Sequence, residues 1–345
     1  MCAKFLKKKM QKILECVPNF SEGKNSQIID QIALQIKSVP NVKLLGVEMG
    51  ESANRTVFTF AGEPESVIEA AFLAIQKASE LIDMRQHLGE HPRIGATDVC
   101  PLIPISGISM EETVVLSKKL AQKVVEKLEI PIFLYENSAQ NPKRQKLEYL
   151  RSGEYEGLEK KLQNPDFQPD FGKNIFNPKS GASILGARNF LIAYNFNLAT
   201  KSVEIANKIA QKIRESGYLD KEKNVRIKGT CQAVKAIGWY IKEYGFAQVS
   251  TNVTNTNVTP LHKVHEQVCE FAKKYETSVI GAELIGLIPL KVLLETAHFY
   301  CQKESKMLPE SESEQIEIAV NYLGLNHLGS FYPQKKIIEY ALKNQ

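Results

Sequence analysis

The chain has 345 residues, 43% hydrophobic and 24% charged, a composition that excludes a disordered or collagen-like chain and suggests about two domains. Its net charge of +5 equals the contribution of Lys4, Lys7, Lys8, Lys9 and Lys12, which leaves 39 basic against 39 acidic residues elsewhere. A balanced body argues against nucleic acid as a partner, and no apolar run reaches the ~20 residues that span a bilayer. Residues 1–11 read as a basic tail without the apolar stretch of a secretory signal. The six cysteines are scattered without a CxxC pair, so reduced thiols in a cytoplasmic protein are expected.

In chain order, residues 12–17 (KILECV) predict a strand, and Asn25 or Ser26 then caps a helix with Ile28, Ile29, Ile32, Ala33 and Ile36 on one face. Residues 42–48 and 55–61 predict two strands. Pro64 opens a second helix with its stripe at Val67, Ile68, Ala71, Phe72, Ile75, Ala78 and Ile82. Residues 98–105 predict a further strand, placed at an edge by Pro101 and Pro104. A helix near 111–128 and a strand near 131–135 follow. The same βαββαβ order returns later: a strand at 189–197, a helix at 200–215, strands near 233–242 and 246–253, a helix from Pro260 to about 274 and a strand at 278–287. Three helical patterns near 290–302, 312–324 and 334–343 end the chain. The expected fold is therefore α/β (α+β), two ferredoxin-like layers of helices on a sheet, with domains at 12–187 and 188–345.

Residues 137–188 stand apart. Their middle (145–163) is helical and charged, and 164–186 has no period but carries Phe167, Phe171, Ile175 and Phe176. Long irregular segments in compact proteins are commonly functional, and a binding loop is expected here.

The segment Arg85–Gly95 concentrates two histidines, two arginines, a glutamate and two glycines in eleven residues. Histidine exchanges protons near neutral pH, and Pro92 biases His91 toward an extended backbone. A zinc reading of His87 and His91, four residues apart, is disfavoured because Gly89 and Pro92 break the helix it needs. His262 and His265 share a helix face without an evident third ligand, and His298 and His327 sit among apolar neighbours. Residues Phe20–Gly23 form a turn whose N–H groups suit an anion.

Taken together, Cys16-Val-Pro-Asn-Phe-Ser-Glu-Gly-Lys24, Asn54-Arg-Thr-Val57, Leu81-Ile-Asp-Met84, Gly89-Glu-His-Pro-Arg93 and Ala247-Gln-Val-Ser-Thr-Asn252 closely resemble the formiminotransferase family, from about residue 12 to the end. The resemblance implies transfer of a formimino group from N-formimino-L-glutamate to N5 of tetrahydrofolate, a step of histidine degradation. It also implies two α/β subdomains with folate in the cleft between them, a homodimer in the cytoplasm, and no metal. In animals the family's domain is fused to a cyclodeaminase, for which this chain is too short. The family's catalytic histidine falls on His91, and Arg93 resembles its charged partner, able to hold a substrate carboxylate by a bidentate contact. The site carboxylate falls on Glu48, where the family is expected to have aspartate. The folate loop falls on Gly172, Lys173, Asn174, Ile175, Phe176, Asn177, Pro178, Lys179, Ser180 and Gly181. Lys173 and Lys179 are expected to face the glutamate tail, and Ser180 replaces an expected aromatic residue. The alternatives are a glutamate formyltransferase using 5-formyltetrahydrofolate, and a non-catalytic folate-binding protein.

Overall fold

A computed structural model describes residues 12–343, apart from 52, 90 and 221. The predicted basic tail at 1–11 lies outside the described residues. The chain divides into two compact units, one ending at Asn189 and the other beginning at Phe190.

The first unit opens with β1 (Ile13–Cys16) and β2 (Asn19–Phe20), two pieces of one strand path parted at Val17-Pro18. Helix α1 (Ser26–Lys37) follows, capped by Asn25, whose side chain accepts from the N–H of Gln27 at 3.0 Å. Strands β3 (Val42–Gly50) and β4 (Arg55–Gly62) form a hairpin, and α2 (Pro64–Leu81) starts at Pro64 as the proline predicts. Then come β5 (Thr97–Ser106), α3 (Met110–Leu128) and β6 (Ile132–Glu136). Ser109 and Glu112 close a capping box on α3. The sheet runs β3-β4-β1/β2-β5 with antiparallel neighbours, the order of a split βαβ layer. Ile29, Ile32 and Ile36 of α1 and Val67, Ala71 and Ile75 of α2 share one core with Leu14, Phe58, Phe60 and Leu102 of the sheet.

Two sequence expectations are corrected in this unit. Strand β5 is not an edge. It pairs with β1 on one side and, in parallel, with a strand missing from the sequence reading, β7 (Ser183–Ala187). Pro101 is tolerated because it contributes its carbonyl, which accepts from Val17 N–H at 3.2 Å. Strand β7 was hidden because all five of its residues are buried, so no alternation marks it. It lies between β5 and β6, parallel to both. Before it the chain makes the excursion 137–182, with α4 (Leu147–Arg151) and α5 (Glu154–Leu162). Leu150, Leu158, Leu162 and Phe167 of this excursion form a second core with Val99, Phe133, Tyr135 and Ile184 of the sheet.

The second unit repeats the topology. Strand β8 (Ile192–Leu198), helix α6 (Val203–Ile213), strands β11 (Val234–Ile241) and β12 (Phe246–Val253), helix α7 (Leu261–Lys274) and strand β13 (Val279–Ile285) give the sheet order β11-β12-β8-β13, all antiparallel. A short ribbon, β9 (Tyr218–Asp220) with β10 (Val225–Ile227), interrupts the α6–β11 connection and had no sequence signal long enough to read. Helices α8 (Leu290–Lys303) and α9 (Glu312–Leu323) add their apolar faces to the core of α6 and α7. The last predicted helix is two short ones, α10 (Pro333–Lys336) and α11 (Ile338–Lys343), parted at Ile337. Within β12, Gln248 is buried and joins two strands, donating to Asn197 at 2.7 Å and accepting from the Trp239 indole at 2.9 Å. Among the described residues no helix is long and apolar enough to cross a membrane. Five described cysteines are free thiols, Cys16 and Cys100 with their sulfurs 3.4 Å apart.

Candidate active site

Asn54 organises the first unit's loops. It ends the β3–β4 turn with a left-handed backbone (φ 46°), a conformation asparagine tolerates better than most residues. Its side-chain oxygen accepts from Gly23 N–H at 2.9 Å, and its amide donates to the Leu88 carbonyl at 2.8 Å. Three motifs far apart in sequence therefore meet on one amide. The approach is close: a Cβ on Gly23 would lie 2.4 Å from Arg55 N, and one on Gly89 would lie 2.4 Å from the Ala53 carbonyl oxygen.

In the turn at Phe20–Gly23 several of the N–H groups expected to suit an anion are already taken. Gly23 N–H is given to Asn54, Ser21 N–H to the Ala96 carbonyl, and those of Lys24 and Asn25 to the Glu22 carboxylate.

His87 is the buried hinge of the histidine loop. Its Nδ1 accepts from Arg93 Nε at 3.1 Å, which leaves Nε2–H to donate to the Asn54 carbonyl at 2.9 Å. With both ring nitrogens engaged it offers no lone pair to a metal. Burial holds its imidazole below the ordinary histidine range.

Arg93, expected from the sequence to hold a substrate carboxylate, has its guanidinium engaged within the chain. All five of its N–H donors are spent: Nε on His87, and the terminal nitrogens on Glu154, both oxygens of Glu156 and the His87 carbonyl, at 2.6–3.2 Å. Its side chain is 6% exposed. Arg93 therefore fastens the histidine loop to the start of α5. A cavity of about 370 Å³ lies beside this fastening, lined by Leu88, Gly89, Arg93, Gly153, Glu154 and Glu156.

His91 has the opposite character. Its Nδ1 is buried and has no hydrogen-bond partner among the described residues. Burial, with the guanidiniums of Arg55 and Arg151 adding to it, pushes its imidazole down to about 4. Arg55, from the start of β4, donates to the Asn19 side chain rather than to a carboxylate. Glu48, on exposed β3 and opposite Val57 in register, favours the charged form of Arg55. Arg151 is the last residue of α4 and pairs with Asp98, a carboxylate 2% exposed. Asp98 also accepts from Ile94 N–H at 3.1 Å and so ties the end of the histidine loop to β5. Burial pushes its carboxyl above the ordinary aspartate value, with Arg151 pulling it back.

The segment Gly172–Gly181 is brought against the same loop. Gly95 and Gly181 form an antiparallel bridge, Ala96 N–H donates to the Ser180 carbonyl, and Met84 N–H donates to that of Lys179, the last two at 2.9 Å. Ser180 is buried, its N–H held by Asn177 Oδ1, and the Tyr155 hydroxyl donates to the Pro178 carbonyl at 2.5 Å. Phe176 packs on Tyr155 with ring centroids 5.5 Å apart, while Ile175 is 63% exposed. Asn174 donates to the Leu162 carbonyl at the end of α5. Lys179 donates to the Glu80 carbonyl in the last turn of α2, and Lys173 is exposed. Gly181 has φ 65°, and a Cβ there would lie 2.2 Å from the Ile94 carbonyl oxygen. Gly181→Ala is expected to destabilise the protein by ~1–3 kcal/mol, measured by urea unfolding, because strain and clash fall on one peptide.

Sequence reasoning singled out His91 and the glycine-bounded loop but missed Asp98, Arg151, Glu154 and Glu156, and assigned Arg55 no role. Asp98 carried a signal, since a carboxylate opening a buried strand needs a partner. Arg151 carried none, being one of many charges in a polar helix. Elsewhere, His265 Nδ1 lies 3.0 Å from the Tyr300 hydroxyl, His262 stacks on Phe299, and His327 Nδ1 accepts from Asn197 at 2.9 Å.

An α/β chain of two split βαβ units, with a histidine-bearing loop bridged at Gly95 to a glycine-bounded loop, has the makings of an acid–base enzyme. The comparisons with known proteins narrow this. Residues 13–188 match the model of the formiminotransferase domain's N-terminal subdomain, residues 193–343 match that of the formiminotransferase domain, and the chain belongs to this family. Among its relatives is a glutamate formimidoyltransferase of Streptococcus pyogenes serotype M1, 45% identical over 86% of this chain and 95% of that one. A second, from Thermoplasma acidophilum, is 40% identical over 84% and 92%. The formimidoyltransferase-cyclodeaminase of Rattus norvegicus is 48% identical over 96% of this chain but 60% of its own length. The chain thus spans about three-fifths of such fused relatives.

Proposed function

We propose that the chain is a glutamate formimidoyltransferase, moving the formimino group of N-formimino-L-glutamate to N5 of tetrahydrofolate and releasing L-glutamate. The observation that carries this reading is His91: a neutral imidazole with an unpartnered nitrogen, on a loop bridged to Gly172–Gly181.

In the reaction, the N5 lone pair attacks the amidine carbon and gives a tetrahedral centre. N5 must then lose its proton and the glutamate nitrogen must gain one before the C–N bond breaks. Neutral His91 takes the first proton and returns it to the leaving nitrogen, so no net proton is consumed. A value near 4 keeps the imidazole unprotonated at neutral pH, ready to accept that proton. A substrate carboxylate near Arg55 would offset the field of the two arginines and raise the imidazole toward neutrality, improving it as the acid. With Arg93 committed to α5, Arg55 takes over the part of carboxylate partner in this reading, with Glu48 beside it. Gly172–Gly181 is read as the folate loop: Ile175 and Phe176 offer apolar surface to a flat pterin, and Lys173 is its charged contact to the glutamate tail. The reading includes a cytoplasmic homodimer and no metal.

Purified protein incubated with tetrahydrofolate and N-formimino-L-glutamate is expected to form 5-formiminotetrahydrofolate, followed by absorbance. Turnover only with 5-formyltetrahydrofolate and glutamate would transfer the assignment to formyl chemistry. Folate binding without either turnover would leave a non-catalytic binding protein.

A further inference from the structure

The turn that carries Arg151 is held by a charge outside the site. Helix α4 has only five residues, too short for its closing carbonyls to be satisfied within the helix. Ser152 N–H reaches back to the Tyr149 carbonyl at 3.4 Å, and the ammonium of Lys161, from the last turn of α5, supplies the further donors. Its Nζ lies 3.1 Å from the Tyr149 carbonyl and 2.9 Å from each of the Leu150 carbonyl, the Ser152 carbonyl and Ser152 Oγ. It also sits 3.8 Å from the centre of the Phe167 ring. Among the described residues no carboxylate lies within ion-pair distance of Lys161, so its charge acts on peptide dipoles and an aromatic face. An ammonium usually stays in water, and burial pushes this one down to about 8.

We propose that Lys161 is a positioning residue for the histidine loop: its ammonium fixes the 149–152 turn from which Arg151 reaches Asp98, and Asp98 in turn holds the loop that ends at Ile94. This rests on His91 as the acid–base group. The charged groups disposed around His91 are Arg55 from β4, with Glu48 of β3 beside it, and Arg151 at the end of α4, with Asp98 of β5 behind it. If the Lys161 clamp opens, Arg151 swings from Asp98 and its field at His91 weakens.

The test follows the ring of His91 by NMR titration of the ligand-free protein, with His91→Gln to assign the resonance. In Lys161→Met, which keeps the aliphatic stem over Phe167, the midpoint is expected to rise by about half a pH unit or more, with kcat down about tenfold and KM little changed. Lys161→Arg keeps a cation with several donors and is expected to restore most of both. Arg151→Met should raise the midpoint as well, and adding Lys161→Met to it should change nothing further. A midpoint and kcat unmoved in folded Lys161→Met would overturn the proposal. If that variant does not fold, Arg151→Met decides alone: an unmoved His91 midpoint there removes the link. The titration needs no substrate, so it stands apart from the assignment of the reaction. Turnover unchanged in His91→Gln would remove His91 from the chemistry and leave the coupling intact.

Discussion

Replacing His91 with glutamine is expected to lower kcat by about 10²–10⁴-fold while leaving KM within a small factor, since the proton shuttle acts between ground state and transition state. Glutamine keeps the size and polarity of imidazole but neither accepts nor releases a proton. The wild-type acid limb of kcat/KM, which reports the free enzyme, should fall near pH 4 and not near the ordinary histidine value of 6.5, because burial and two guanidiniums resist the second ring proton. The same residue contributes to acid stability. Its folded value lies below 6.5, so the unfolded chain takes up the proton first as the pH drops. The stability it supports is complete above pH 6.5 and is lost progressively toward pH 4. His91→Gln should therefore unfold at a higher urea concentration than wild type at pH 5 relative to their difference at pH 7. An unchanged kcat in a folded variant would remove His91 from the chemistry.

Asp98→Ala should be the most damaging substitution to stability, at about 3–5 kcal/mol in urea unfolding at neutral pH. The aspartate side chain is 2% and the Arg151 side chain 15% exposed, so removing the anion strands a buried cation and the Ile94 N–H with it. The double change Asp98→Ala with Arg151→Met should recover part of the loss by removing the stranded charge, and that recovery separates the electrostatic penalty from lost packing. A cost below about 1 kcal/mol for the single change would mean that water reaches the pair.

How much of this was legible in the sequence depends on the range of the interaction that fixes each piece. Strands and helices whose pattern is local were readable: Asn25 as a cap, Pro64 as a helix start, and the two βαββαβ orders. Strand β7 was not, because a strand buried on both faces has no alternation, and its pairing partners lie more than 80 residues earlier in β5 and about 50 earlier in β6. The prolines of β5 misled for a related reason. A missing donor rules out one hydrogen bond on one side, and the central strand spends the proline's carbonyl instead. At the site, His91 was found through its dense motif. Arg93, in the same motif, was given a ligand because the acids that consume its donors, Glu154 and Glu156, lie some 60 residues away. A side chain's type is written in the sequence, but whether its donors are already occupied is not.

The position of β7 has a consequence for how the protein is made. Strands β5 and β6 emerge from synthesis with a gap between them, and residues 183–187 fill it only after the 46-residue excursion at 137–182 has been completed. Until then β5 offers an open edge, the kind that recruits other chains. Gly181, two residues before β7, meets Gly95 as the strand inserts. Closing the sheet and setting the histidine loop against the glycine-bounded loop are thus one event. A nascent chain released before that point would carry an open template for aggregation and no assembled site, so truncation within the excursion should yield insoluble protein in place of a weakened enzyme.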